Sequence, residues 1–479
     1  MRIKIGRGWV RVVTALLGCG LLVGCSYNKK VEEALSLYET GQFTASAAKV
    51  TSIADKVVKH DALLIRCEQG AILRAAGQFE ASNAAFTKAD DKVKEYDAQP
   101  ETQISQEAGA VLVNATVMNY RGFAYDRIML STYKALNALE LGNSDLARVE
   151  FNRAMERQKD AVVENDKQID RSEKLREEKK SSADVEKVQS DPGVQKQLET
   201  EYADLVGRDM SAYADYVNPF AEYARALYLM YSPADTSDLE QATSSIRRVS
   251  GMLGNDNAFF KKELVLSDKI ASGAKVEPTT YVIYEAGLAP EREEIRIDIP
   301  VFLFNIGVKD TKVDYVGVAF PKLEKRYCNV LKLKATAGGQ THAATLVCDM
   351  DKVVSQEFKN QMPIVITRTI ISAGIKAAAQ YAVAEATRKQ NLWVQLLARA
   401  GTAIYAAATN HADLRTWRTL PKQISVARFP TPADRIVNLQ VVNGLPIPPV
   451  TLQPGTVNVI FVKCVHSSAT PIVTQFKLK

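Results

Sequence analysis

One spacing of residues recurs three times in the N-terminal half of the chain and restricts that half to paired helices. Each copy has a glycine, a small residue five positions later, and apolar residues nine and twelve positions later. The copies are Gly41, Ser46, Val50 and Ile53; Gly77, Ser82, Phe86 and Ala89; and Gly142, Ala147, Phe151 and Ala154. The glycine permits a tight turn between two helices, and the small residue lets the helices approach closely. The pattern therefore predicts a series of helical hairpins.

The intervals between the three glycines indicate a class of helical repeat. They are 36 and 65 residues, the second being close to two units of about 34 residues, the period of tetratricopeptide repeats. This resemblance predicts a tetratricopeptide-like α-solenoid over residues 31–270, and a generic helical bundle is the alternative. Helices expected at 219–231 and 239–253 repeat the spacing and would cap the array.

Residues 155–206 are rich in charges of both signs, most densely at 166–180. This composition predicts one long solvated helix or a helical hairpin, broken at Asp191-Pro192-Gly193. A disordered linker and a binding arm are the alternatives.

After residue 277 the apolar pattern changes from helical to alternating, which is typical of strands. Strands are predicted at 279–285, 294–299, 312–320, 327–334, 343–348, 423–429, 435–442, 456–463 and 472–478. Between them, the alanine-rich residues 361–411 predict two closely packed helices. Arg368, Lys376 and Glu385 interrupt the apolar runs, which disfavours a membrane hairpin.

These patterns together predict an α+β multidomain protein. An N-terminal tetratricopeptide-like α-solenoid is followed by a mixed β-rich domain with an inserted helical pair. The predicted boundaries are 278–360 for the first β-rich region, 361–411 for the helical pair, and 412–479 for a small C-terminal sheet or sandwich. The earlier strands are expected to complete that sheet.

The N-terminus predicts export and lipid attachment. Its apolar run, residues 12–23, spans only about 18 Å as a helix and cannot cross a bilayer core of about 30 Å. Leu22-Val23-Gly24-Cys25 resembles the bacterial lipobox. The resemblance implies a signal peptide over residues 1–24, cleavage between Gly24 and Cys25, acyl chains on Cys25 and a lipidated tether over residues 25–30. Ser26 implies sorting to the outer membrane, facing the periplasm. An ordinary secretory signal with a chance cysteine is the alternative.

The charge and the motifs exclude several function classes. The net charge is +6, and four of the positive charges lie in the first 24 residues, so no nucleic-acid partner is expected. The four histidines, His60, His342, His411 and His466, are far apart in the sequence and form no metal-ligand array. Neither a metal nor a cofactor is predicted. No catalytic motif is present, and we predict a protein that is not an enzyme.

Cys328 and Cys348 lie symmetrically about Gly338, in the predicted turn Ala337-Gly338-Gly339. In a hairpin with a three-residue loop they would face each other across two strands, which predicts a disulfide. Two half-buried free cysteines are the alternative. Cys67 and Cys464 are expected to be buried thiols.

Two further stretches carry a second resemblance. Glu285-Ala286-Gly287-Leu288-Ala289-Pro290 and the segment 412–421, which contains Asp413, Arg415, Trp417 and Pro421, are similar to segments of a largely uncharacterised group of bacterial outer-membrane lipoproteins. That group joins tetratricopeptide-like helices to a β-rich C-terminal region. From the residues themselves, we expect Trp417 to form a packed corner and Asp413 and Arg415 to form a local ion pair. A ligand-stacking tryptophan is the alternative.

The function predicted from the sequence is that of a lipoprotein scaffold or adaptor anchored in the outer membrane. Its helical array would present a concave face to a periplasmic or envelope protein, with the β-rich region as a second docking module. Cell-envelope assembly, cell-wall synthesis and export are the candidate pathways, by analogy alone. A periplasmic enzyme or a carbohydrate-binding module in the C-terminal half is the alternative.

Overall fold

The helices of the N-terminal half are followed by strands in the C-terminal half, as expected from the change in apolar pattern. The computed structural model describes residues 27–57, 59–100, 118–180, 183–203, 216–254, 256–304, 315–388, 390, 392 and 411–479. Its helices are α1 Tyr27–Glu39, α2 Phe43–Ala54, α3 Ala62–Ala75, α4 Phe79–Asp97, α5 Ala124–Glu140, α6 Ser144–Lys179, α7 Val185–Gln189, α8 Pro192–Glu201, α9 Pro219–Tyr231, α10 Thr236–Leu253, α11 Ala258–Ala271 and α12 Met350–Thr387.

The strands of the described residues form two sheets and a ribbon. They are β1 Thr279–Ala286, β2 Glu291–Pro300, β3 Tyr315–Glu324, β4 Leu333–Ala337, β5 Gln340–Ala343, β6 Thr345–Asp349, β7 Gln423–Pro430, β8 Ile436–Val441, β9 Val450–Thr451, β10 Val457–Cys464 and β11 Ile472–Lys477. The first sheet has the order β11-β10-β1-β7-β6, the second has the order β5-β4-β8-β9, and β2 pairs with β3 alone. Early and late strands therefore share one sheet, as predicted.

The predicted hairpin turns form at all three repeat glycines. Gly41, Gly77 and Gly142 have φ angles of 78°, 74° and 71°, which residues with a Cβ rarely adopt. The small residue at the fifth position of the first two copies is a buried serine that bonds to the preceding helix. Ser46 Oγ donates to the carbonyl of Ala34 at 2.6 Å, and Ser82 Oγ donates to the carbonyl of Gly70 at 2.7 Å. Phe86, Ala147 and Phe151, the other predicted packing residues, are also buried.

Replacing Ser82 with phenylalanine is expected to lower the free energy of unfolding by about 1 to 3 kcal/mol. Ser82 has no exposed surface, and the ring of Phe86 already lies against Gly70 at this close approach. Thermal or urea unfolding measures the change, with the exposed Gln78→Ala beside the turn as control. Equal stability of Ser82→Phe and the wild type would refute this packing register.

The helices and the five-stranded sheet share one hydrophobic core. Tyr281 and Ile283 of β1 belong to the core that contains helices α1–α5 and α9–α11, whereas Val282 and Tyr284 belong to a second core beneath the other sheet. Alternate residues of a strand point to opposite faces, so β1 is buried on both sides. The predicted boundary near residue 278 is thus a change of secondary structure within a shared core. We call these helices and the two sheets the body.

Two long helices connect the body to a second packed unit. Phe151 and Leu175 of α6 lie in different cores, about 36 Å apart at 1.5 Å per residue. Helix α12 makes the same connection, since Val354 packs in the body and Ile371 in the second unit. This unit, which we call the lobe, contains α7, α8, the β2–β3 ribbon and the C-terminal parts of α6 and α12.

The charged segment is therefore partly packed, and its predicted break is confirmed. Helix α8 begins at Pro192, and Asp191 Oδ1 accepts hydrogen bonds from the backbone nitrogens of Gly193 and Val194 at 3.0 and 3.1 Å. Val185, Val188 and Val194 are buried in the core of the lobe. Apolar residues spaced along this otherwise charged segment dock it on the ribbon, so it is not a free arm.

Three predicted boundaries need correction. Helix α12 begins at Met350, eleven residues before the predicted helical pair, and the second helix of that pair lies mostly outside the described residues. The strand predicted at 327–334 is mostly loop, with β4 beginning at Leu333. Residues 27–30 of the predicted tether are helical, while the signal peptide, Gly24 and Cys25 lie outside the described residues.

Helix α12 overlaps the segment for which a membrane hairpin was disfavoured. By length and composition it could cross a membrane, although a core helix of a soluble protein passes the same test.

The predicted disulfide between Cys328 and Cys348 is wrong, because both thiols are free. The turn has two residues, Gly338 and Gly339, since Ala337 pairs with Gln340. After β5 the chain leaves this hairpin, and β6 pairs with β7 in the other sheet. Cys348 consequently packs in the helical core of the body, whereas Cys328 packs against the second core.

Candidate functional site

The segment 411–421, which we call the clasp, connects the sheet to the helices of the body. The predicted ion pair is confirmed, with Arg415 Nη2 donating to Asp413 Oδ2 at 2.7 Å. Arg415 Nη1 also donates to Asp61 Oδ1 at 2.9 Å and to the carbonyl of Met118 at 2.8 Å. Burial alone would raise the pKa of Asp413, but the guanidinium of Arg415 holds it below its ordinary value. The clasp thus binds the helical half through buried charges.

Trp417 forms the packed corner expected from the sequence. Its side chain is 1% exposed, and its ring lies 5.9 Å from that of Phe86 and 6.0 Å from that of Tyr133. Its Nε1 donates to Thr419 Oγ1 at 2.8 Å, and that hydroxyl donates to Glu68 Oε2 at 2.6 Å. Burial of both ring faces leaves no surface for a stacked ligand. Pro421 is buried immediately before β7.

Glu68 receives the clasp on the helical side. The backbone nitrogen of Arg418 donates to its Oε1 at 2.7 Å, in addition to the hydroxyl of Thr419. Burial raises the pKa of Glu68 to about 7, against these hydrogen bonds, which lower it. Burial also raises the pKa values of Asp126 and Glu357 to about 7. All three carboxyl groups therefore bind a proton more tightly in the folded chain than in the unfolded chain.

The free energy of unfolding is expected to fall as the pH rises from about 5 to about 8, because the folded pKa of Glu68, about 7, exceeds its ordinary value of 4.5. The stabilisation is complete below the unfolded pKa and is lost as the pH passes the folded one. Glu68→Gln should reduce the loss by about 3 kcal/mol. Urea unfolding at several pH values measures it, and the exposed Glu178→Gln is the control. If the free energy of unfolding depended on pH in the same way in Glu68→Gln and the wild type, the raised pKa of Glu68 would be contradicted.

The other stretch with the lipoprotein resemblance lies at the end of β1, beside the clasp. Glu285 is buried and accepts hydrogen bonds from Lys463 Nζ at 2.8 Å and from the hydroxyl of Tyr133 at 2.9 Å. Gly287 has a φ of 61°, and Cys328 Sγ lies 2.7 Å from where a Cβ would stand, so this position requires glycine. Pro290 is buried just before β2. These residues join β1, β10 and α5.

A narrow cleft opens next to this group of residues. Its lining includes Arg74, Tyr133, Glu285, Phe461, Lys463 and Thr474. The cleft encloses about 340 Å³, counting the space that is open to solvent. It lies between α3, α5 and strands β10 and β11, where the helical half meets the sheet.

The inner side of the helical array is covered by the chain's own sheet. Besides Tyr133 and Glu285, the hydroxyl of Tyr231 on α9 bonds to that of Tyr281 on β1 at 2.9 Å. Glu263 on α11 forms an ion pair with Arg428 on β7. The helical surface in contact with the sheet is therefore not available to a partner, and the docking of a partner on a concave helical face stays a prediction.

The histidines make separate local contacts. His60 lies beside Asp61, His342 stacks on Phe429, His411 lies beside Glu294, and His466 bonds to Ser468. Across the described part of the chain, no group of three or more histidine, cysteine, aspartate or glutamate residues could hold a metal ion.

Sequence reasoning found the clasp and the end of β1 but missed Glu68, Arg74 and Lys463. The available signal was a charged residue within an apolar run, as in Ile72-Leu73-Arg74-Ala75 and Val462-Lys463-Cys464.

A scan against protein-family models, a search of curated proteins and a search of solved structures found no match to this chain.

Proposed function

We propose that the protein is an outer-membrane lipoprotein that acts as a periplasmic adaptor for other envelope proteins, without catalysis of its own. The position of helix α1 supports attachment of the protein to the membrane through Cys25. Helix α1 begins at Tyr27, two residues after Cys25, and the side chain of Tyr27 is 4% exposed. Acyl chains on Cys25 would therefore hold the body directly at the lipid surface.

The N-terminal helices are proposed to be tetratricopeptide-like. The equivalent turns at Gly41, Gly77 and Gly142 and the equivalent bonds of Ser46 and Ser82 support an internal repeat. Unlike an open solenoid, the array has one side packed against the sheet. We therefore look for the adaptor surface outside that contact.

We assign the partner-binding surface to the lobe, and exposed aromatic residues at the end of its ribbon carry this assignment. Phe302 is 54% exposed and Tyr315 is 60% exposed. Both lie where β2 ends and β3 begins, since Pro300 pairs with Tyr315. Aromatic side chains are enriched in protein interfaces. Phe151 in the body and Leu175 in the lobe are about 36 Å apart along α6, which shows how far the lobe extends from the body.

Cys25→Ala is expected to abolish lipid attachment and leave an unprocessed precursor, because the lipobox cysteine is both the acylated residue and the cleavage site. Palmitate labelling and membrane fractionation measure the change. Normal labelling of Cys25→Ala would refute the anchor. Recovery of the wild type only from inner membranes would refute the sorting implied by Ser26.

The adaptor surface is tested with a photocrosslinking residue placed at Phe302 or Tyr315 in living cells. We expect a defined envelope protein to be captured from both positions. Val149 is the matched control, because it is 49% exposed and lies between Ala147 and Phe151, in the part of α6 that belongs to the body. Equal capture from Val149, or none from the ribbon, would refute the assignment to the lobe.

A further inference from the structure

The side chain of Arg74 in the cleft has an unused hydrogen-bonding edge. Arg74 is 6% exposed, and its Nη1 donates to Asn137 Oδ1 at 2.5 Å. Its Nε and Nη2 are buried and have no hydrogen-bond partner among the described residues. A buried donor without a partner is costly, and more so when it is charged. This edge is therefore suited to a group that the described part of the chain does not supply.

Aromatic rings hold the guanidinium in place. Its carbon lies 4.6 Å from the ring centre of Phe461, 5.6 Å from that of Phe79 and 5.7 Å from that of Tyr133. Cation–π contacts of this kind fix the plane of the group without using its N–H donors. The Nε and Nη2 hydrogens remain parallel, in the geometry that binds the two oxygens of a carboxylate.

The neighbouring charges do not use this edge. Lys463 pairs with Glu285, which also accepts from Tyr133. Glu140 also interacts electrostatically with Arg74, but its Oε1 accepts from Thr474 Oγ1 at 2.5 Å. Burial raises the pKa of Glu140 above its ordinary value, although the charge of Arg74 acts to lower it.

We propose that Arg74 binds a carboxylate group of a polypeptide, either a C-terminal carboxylate or that of an acidic side chain. The proposal rests on the adaptor function, since it gives the partner a chemical anchor on the body. Inside its open mouth the cleft has room for about one water molecule. A ligand can therefore place only a small terminal group there, not a whole small molecule.

The Nε–H resonance of Arg74 in the full chain, labelled with ¹⁵N-arginine and assigned by its loss in Arg74→Lys, tests the proposal. Acetate should shift this resonance in a saturable manner, whereas acetamide and chloride at equal ionic strength should not. Arg292 supplies the internal control, because its guanidinium also stacks on a ring, that of Phe123 at 4.0 Å, and its Nε likewise has no partner within the residues that the structure describes. The resonance of Arg292 should not move.

Two probes and one control distinguish the sources of the carboxylate. N-acetyl-trialanine, which has a free C-terminus, probes the terminal carboxylate, and N-acetyl-trialanine amide, which has none, is its control. N-acetyl-glutamate amide probes the side-chain carboxylate. The affinity for each probe is measured from the increase in unfolding temperature that the probe causes. Arg74→Lys keeps the charge but loses the paired donors, and it should lower this affinity about tenfold or more.

No shift of the Arg74 resonance with any carboxylate, or equal shifts with acetamide, would overturn the proposal. If Arg74→Lys does not fold, the resonance is assigned in the wild type by its nuclear Overhauser effects to the ring protons of Phe461, whose ring centre lies 4.6 Å from the guanidinium carbon, and the titration still decides. Crosslinking at Phe302 does not involve the cleft, so failure here would leave the adaptor function standing.

Discussion

Trp417→Ala is expected to lower the free energy of unfolding by about 3 to 5 kcal/mol. The indole is 1% exposed and packs between the rings of Phe86 and Tyr133, so its removal leaves a cavity. The substitution also removes the donor to Thr419, whose hydroxyl bonds to Glu68. One change thus weakens the contact between the sheet and the helices at its centre.

Urea unfolding followed by circular dichroism measures this effect. Trp417→Phe, which keeps most of the apolar volume, should destabilise the protein less than Trp417→Ala. Leu445→Ala serves as a control on the same half of the chain, because Leu445 is 39% exposed, and should change the stability by less than about 0.5 kcal/mol. Similar stabilities of Trp417→Ala and Leu445→Ala would contradict the packed corner.

Lys463→Met is expected to destabilise the protein by about 3 to 5 kcal/mol, because it leaves the buried carboxylate of Glu285 without its counter-ion. Both side chains are buried, and Lys463 Nζ lies 2.8 Å from Glu285 Oε2. Burial alone would lower the pKa of Lys463, but Glu285 raises it to about 12. Lys463 therefore remains charged in the folded protein at neutral pH.

The double variant Lys463→Met, Glu285→Gln separates the loss of the pair from the cost of an isolated charge. Replacing Glu285 as well should restore much of the stability, because glutamine can still accept from Tyr133 and carries no charge. Urea unfolding of the wild type, both single variants and the double variant completes the cycle. Additive losses would show that the two residues are not coupled.

Local chemistry explains which elements could be predicted. Gly41, Gly77 and Gly142 end helices because the turns need positive φ, and this requirement is visible in the sequence as a spacing. Strands β1, β7 and β10 were predicted because β-branched and aromatic residues follow one another there. The ion pair between Asp413 and Arg415 was predictable since the residues are two positions apart.

Predictions that depended on pairing between distant segments were less secure. The symmetry of Cys328 and Cys348 about Gly338 assumed that one hairpin extends to both residues. The chain instead moves from β5 to a different sheet at β6, and nothing in the local sequence marks that change. Similarly, an amphipathic helix indicates that one face is buried but does not indicate what buries it.

Local patterns of residues are enough to predict the helical hairpins, most strands, the lipobox-like N-terminus and the break at Pro192, because each depends on backbone preferences or on neighbours within a few residues. Three features emerge only from the folded chain: the sheet packs against the helices, Glu68 receives the clasp, and Arg74 keeps an edge that no described residue uses. These features depend on contacts between residues hundreds of positions apart, such as Glu68 and Thr419. Such contacts are selected by the fit of the whole core, and no short stretch of sequence contains that information.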